Sequence, residues 1–162
     1  MVELEDVDPV RRVAGKAILD LTDQFGFEAF AAAWLHDRTT GTWKYLLVTP
    51  MLKSKGPHWV YDRLIKLFRH YPLPDGISPL DVHVIDPAME VAAFGPPLMA
   101  LDDRDAPTGL VMFLATDTLI GDLFVDEGFA AFYRRLPASS RTRRGDIARR
   151  FDHRVRQLDL AA

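Results

Sequence analysis

The chain contains no cysteine among its 162 residues. That single absence removes disulfides, thiolate metal ligands and cysteine nucleophiles together, and it fits a reducing compartment. Long apolar runs are also missing. The longest, residues 29–35, falls far short of the ~20 residues that a membrane-spanning helix needs. The opening residues MVELEDVDP are acidic and lack the apolar centre of a secretory signal. The expectation is a soluble, cytoplasmic protein with no membrane association.

Several catalytic and cofactor signatures are absent as well. Neither G-x-x-x-x-G-K-[ST] nor G-x-G-x-x-G occurs, so no standard nucleotide-binding loop is available. There is no G-x-S-x-G, and Ser54, Ser78, Ser139 and Ser140 sit in proline-rich or basic stretches rather than at a strand–helix elbow. No H-E-x-x-H is present. No cofactor and no metal are expected. The tripeptide Arg144-Gly145-Asp146 has low specificity and carries no weight.

What is present favours one α+β domain spanning residues 1–162. A hydrophobic content of 48% supports a sizeable core and argues against disorder. A chain of this length can bury roughly 70% of its unfolded surface.

The net charge of −3 conceals a strong asymmetry. Residues 1–28 carry −4, residues 29–71 carry +5, residues 72–128 carry −10 and residues 129–162 carry +6. Blocks of opposite sign on one chain are expected to find each other, within the fold or across a dimer.

Three helices are legible. Asp8 and Pro9 give an N-cap and a first-turn proline. Val10, Val13, Ala14, Ala17, Ile18, Leu21 and Phe25 then form an apolar stripe that Gly26 closes. A second helix opens at Gly56-Pro57, with Val60, Leu64, Leu67, Phe68 and Tyr71 as its apolar face, and stops at Pro72. A basic amphipathic helix ends the chain, with Ile147, Phe151, Val155 and Leu158 at helical spacing.

Residues 29–36 and 43–49 read as a hairpin around DRTTGT, with Trp34, Trp43 and Tyr45 in cross-strand contact. LDVHVID and GLVMFLAT read as strands, LIGDLFV as the hairpin partner of the latter, and FAAFYRRL as a further strand. Residues 72–107 hold 7 of the 11 prolines, and outside LDVHVID they read as turns and loops. The expected architecture is an antiparallel sheet of five or six strands, covered on one face by the first two helices. The C-terminal helix is expected to lie on the acidic middle segment or on a second subunit.

Four sets of residues invite functional readings. His36 and Asp37 sit together at the hairpin lip, but neighbours on a strand point to opposite faces, which favours a structural role over acid–base chemistry. His83 shares a strand face with Asp81, and with His36 or His58 it has ligand chemistry but no metal-binding spacing. Lys53, Lys55 and His58 cluster where a helix is expected to begin and where acids are usual, which suits an anion bound at a helix N-terminus.

The arginines of the last helix have phosphate-binding chemistry, but the pI of about 5.9 and the acidic middle block disfavour nucleic acid. Ile147, Phe151 and Val155, with Arg150 and Arg154, are instead expected to form an interface. The favoured reading is a small non-catalytic binding or regulatory domain that acts through protein–protein contacts, as a homodimer or with another partner. The alternatives are a hydrolase or other enzyme acting on an anionic or phosphorylated small molecule, and nucleic-acid binding through the arginine helix.

Overall fold

A computed structural model describes residues 7–97, 100–102, 111–113, 117–136 and 146–161, without the side chains of Asp102 and of residues 111–113. The fold is α+β. Among the described residues, no helix is long and apolar enough to cross a membrane.

Helix α1, Pro9–Gln24, begins as the sequence demands. The Asp8 carboxylate accepts a hydrogen bond from the Arg11 amide at 2.9 Å, and Pro9 occupies the first turn. Gly26, at φ +81°, turns the chain out of the helix. The buried face differs from the expected stripe. Ala14, Gly15, Ile18, Leu19 and Thr22 face inwards, whereas Val10 and Val13 are 67% and 71% exposed.

The cause is a set of aromatic side chains whose polar tips bind α1 carbonyls. Trp34 Nε1 donates to Arg11 O, the Tyr45 hydroxyl to Gly15 O and the Tyr133 hydroxyl to Arg12 O, each at 2.8 Å. So close an approach needs the small side of α1 against the sheet, and the helix is rotated accordingly.

Strands β1, Ala31–Asp37, and β2, Thr42–Val48, form the expected hairpin, with Gly41 at φ +69° in the turn. The chain then runs through a short helix α2, Met51–Lys55, and a longer α3, Pro57–His70. A 3₁₀ turn, Pro79–Asp81, leads into β3, Val82–Ile85, which pairs parallel to β2. The sheet is therefore mixed rather than wholly antiparallel. The reason is topological: a helical crossover between neighbouring strands returns the chain in the same direction.

Helix α4, Pro87–Phe94, lies in the segment read from its prolines as turn and loop. Its start signals are Asp86, whose side chain accepts from Met89 N at 2.9 Å, and Pro87 in the first turn. Two short strands, β4, Leu101–Asp102, and β5, Val111–Phe113, both pair antiparallel with β8, Gly128–Arg135. The resulting order is β3-β2-β1-β8, with β4 and β5 on the outer side of β8.

Among the described residues, LIGDLFV does not pair with GLVMFLAT, whose residues 111–113 pair with β8. LIGDLFV instead folds on itself as β6, Thr118–Ile120, and β7, Leu123–Val125. Gly121, at φ +65°, permits the tight turn between them. Residues 109, 110 and 114–116 of GLVMFLAT lie outside the described residues.

The sheet is covered on both faces, not one. Tyr133 faces α1, and its neighbour Phe132 therefore faces the other way, where its ring lies 5.2 Å from Phe94 of α4. The β6–β7 hairpin joins α4 on that side, with Gly121 against Met89 and Ile85. The fully buried Arg135 and Glu90 pair across the same layer, and Arg135 also donates to Gly95 O.

Helix α5, Ile147–Ala161, closes the structure. Ile147, Phe151 and Val155 are buried within the chain. Phe151 meets Phe27 edge-on at 5.1 Å and Trp59 of α3 at 6.4 Å. The described contacts of α5 include α3 and residues 24–28. An apolar stripe seeks an apolar surface, and Phe27 with Trp59 supplies one. Asp103, Asp105, Arg141, Arg143 and Arg144 lie outside the described residues.

Candidate functional site

The hairpin lip is structural. Asp37 Oδ1 accepts from Thr39 N at 2.9 Å and so caps the turn. His36, on the other face of β1, stacks on Trp43 at 4.3 Å and meets Phe129 edge-on at 5.5 Å. The His36–Asp37 pair therefore does not assemble as an acid–base unit.

His83 sits on β3 with Asp122 Oδ1 3.9 Å from its Nδ1, while Asp81 lies 3.6 Å from Lys44. Burial pushes the His83 imidazole below its usual value of 6.5 and Lys44 acts in the same direction, against Asp122 and Asp81. Among the described residues, no group of three or more His, Asp or Glu side chains is arranged to hold a metal ion.

A different place gathers charge. A cleft of about 890 Å³ opens between α2, the start of α3, the start of α4 and the first turns of α5. Five cations line it, Lys53, Lys55, Arg63, Arg149 and Arg156, against two carboxylates, Asp86 and Asp152. Met51, Trp59, Ile147 and Ala148 give it an apolar floor.

The local sequence explains the assembly. Pro50 starts α2, and Gly56, at φ +86°, ends it and redirects the chain into α3. Lys53 and Lys55 consequently belong to the last turn of α2, where a cation complements the helix dipole, and not to the first turn of α3. His58 does lie in the first turn of α3, but it is exposed and does not line the cleft.

Within the cleft, the charges divide into engaged and available. The Arg63 guanidinium carbon sits 3.9 Å from the Trp59 ring centroid, and Lys55 Nζ lies 5.7 Å from the same ring. Arg63 Nε donates to Asp152 Oδ1 at 2.8 Å, and Arg156 Nε to the same oxygen at 3.1 Å. Burial would raise the Asp152 carboxyl, but Arg63 and Arg156 outweigh it and hold the group below its usual value of 3.8. Asp86 is occupied as the cap of α4.

Lys53 and Lys55 have no ion-pair partner among the described residues, and exposed Arg149 has only Asp146 at 3.6 Å. Arg150 and Arg154 point elsewhere, Arg150 to Glu28 at 3.0 Å and Arg154 to Gln24 O at 2.7 Å. Sequence reasoning missed Trp59 and Arg63 as site residues, and it named Arg149 and Arg156 only among the arginines with phosphate-binding chemistry, not as partners of Lys53 and Lys55. The signal was there, since Arg149, Asp152 and Arg156 recur at three and four residues along one flank of the Ile147–Phe151 seam.

This geometry defines the chain as an α+β domain with a cationic, aromatic-floored cleft. No known family model matches the sequence, and no curated protein and no solved structure matches it.

Proposed function

We propose that this protein is a non-catalytic binding domain whose cleft receives an anionic group presented by a protein partner, such as an acidic segment. The observation that carries this reading is the surplus of cations in the cleft. Lys53, Lys55 and Arg149 face an 890 Å³ space whose two carboxylates are already engaged. Charge complementarity of this kind steers encounter and selects partners. The apolar floor adds buried area that charge alone does not supply, because exposed ion pairs are worth only about 0–1 kcal/mol each.

Binding is favoured over catalysis because no histidine lines the cleft among the described residues, and Asp86 and Asp152 are committed to structural hydrogen bonds. Fluorescence anisotropy with a labelled short polyglutamate peptide tests the reading. The wild type is expected to bind with an affinity that falls as salt rises. Lys53→Gln/Lys55→Gln is expected to weaken binding severalfold while costing no more than about 1 kcal/mol of stability, since both side chains are exposed. Equal binding by both proteins would overturn the assignment.

A further inference from the structure

The β6–β7 hairpin carries a surface complementary to the cleft. One side of the hairpin is consumed by the core: Ile120 and Val125 are buried. The opposite side shows Leu119 and Phe124, 64% and 56% exposed and directly across from each other in the strand register. Adjacent apolar side chains left in solvent at a paired position mark a contact surface more readily than scattered ones do. Among the described residues, β6 and β7 pair only with each other, so the hairpin stands apart from the main sheet.

The hairpin's own charges have one sign, although Arg38 reaches Glu127 at 3.9 Å. Residues 117–127 carry Asp117, Asp122, Asp126 and Glu127 and no basic residue. Asp122 at the turn is almost fully exposed. At the base of the hairpin, a hydrogen bond with Asp126 raises the Asp117 carboxyl above its usual value of 3.8, with burial and the Asp126 charge adding to it. Cations brought to this end would relieve the crowding of carboxylates.

Resting on the reading of the cleft as an anion-binding surface, we propose that its partner is a second copy of this chain, whose acidic β6–β7 hairpin enters the cleft. Asp122 and Glu127 then meet Lys53, Lys55 and Arg149, while Leu119 and Phe124 meet the floor around Trp59. One sequence carries both halves of the contact. Reciprocal exchange of two hairpins closes a two-fold dimer in which each contact occurs twice.

Charge-swap complementation tests this. Asp122→Lys/Glu127→Lys sets two hairpin lysines against the basic cleft; Lys53→Glu/Lys55→Glu sets two cleft carboxylates against the acidic hairpin. All four positions are exposed or nearly so, and circular dichroism and melting temperature check that each variant folds. In sedimentation velocity, the wild type is expected to be dimeric and each variant monomeric. An equimolar mixture is expected to restore a dimer, because both contacts are then of opposite charge. A monomeric wild type, variants that still self-associate, or a mixture that stays monomeric would each overturn the proposal. Polyglutamate binding by a monomeric wild type would do so while leaving the cleft's anion-binding role intact.

Discussion

The guanidinium of Arg63 lies 3.9 Å from the ring centroid of Trp59, one helical turn away on α3. That stack fixes the orientation of Arg63, so its Nε meets Asp152 of α5 at 2.8 Å. The pair joins the two helices that form the cleft wall.

Replacing Arg63 with Met keeps the apolar stem but loses the cation and its hydrogen bond, and is expected to cost about 1.5–3 kcal/mol. Asp152 adds a pH signature. A carboxyl with a lowered folded pKa contributes stability above its unfolded value, and loses it as pH falls through the folded value. In urea melts, the gap between wild type and Asp152→Asn is expected to be full well above pH 3.8 and to close as acid is added below it. A gap independent of pH would show that the Arg63–Asp152 charge interaction contributes nothing.

Gly15 offers a test that runs against helix propensity. Alanine at an exposed helical position is favoured over glycine by about 1 kcal/mol. At Gly15, however, a Cβ would lie 2.6 Å from Trp34 Nε1 and would collide with the Tyr133 hydroxyl. Neither ring can yield without breaking its bond to an α1 carbonyl. Gly15→Ala is therefore expected to destabilise the protein by about 1–3 kcal/mol, the usual cost of overpacking. Val13→Ala, on the exposed side of the same helix, is expected to stay within about 0.5 kcal/mol. Thermal melts of the two variants compare them directly.

Arg135 and Glu90 are both fully buried, and their ion pair ties β8 to α4. Removing one partner strands a charge in the core, so Glu90→Leu is expected to cost about 3–5 kcal/mol. The double change Glu90→Leu/Arg135→Met leaves no charge behind and is expected to recover much of that loss. Additive losses in chemical denaturation would show that Arg135 is held mainly by its other contacts, such as the bond to Gly95 O.

These cases show what could be read from the sequence. Local signals were sufficient where a residue acts on its own neighbours: Asp8 and Pro9 start α1, Gly41 turns the first hairpin, and Phe151 and Val155 mark the buried side of α5. They failed where the deciding partner is distant. Val10 and Val13 fit an apolar stripe, but Trp34, Tyr45 and Tyr133 select the side of α1 that carries Gly15.

The cleft was legible in part. Lys53 and Lys55 stood out, yet their reading as the start of a helix placed them on the wrong side of Gly56. Their neighbours Arg149 and Arg156 come from nearly a hundred residues further along the chain, so no local pattern could join them. Prolines mislead in one place: Pro87 reads as a loop marker although, after Asp86, it starts α4.

The position of β8 has a consequence for how the chain is made. β1, Ala31–Asp37, is an interior strand whose two neighbours are β2, which follows at once, and β8, Gly128–Arg135. A ribosome releasing this polypeptide from its N-terminus delivers β1 long before β8. Throughout that interval, one side of a strand rich in alanine, Trp34 and Leu35 presents unsatisfied amides and carbonyls to whatever is nearby. Nascent chains of this protein should therefore be most prone to mispairing while residues 38–127 are being translated, and should depend most on holding chaperones then. Moving β8 to the front of the gene by circular permutation would shorten the exposure without altering a single side chain of the finished sheet.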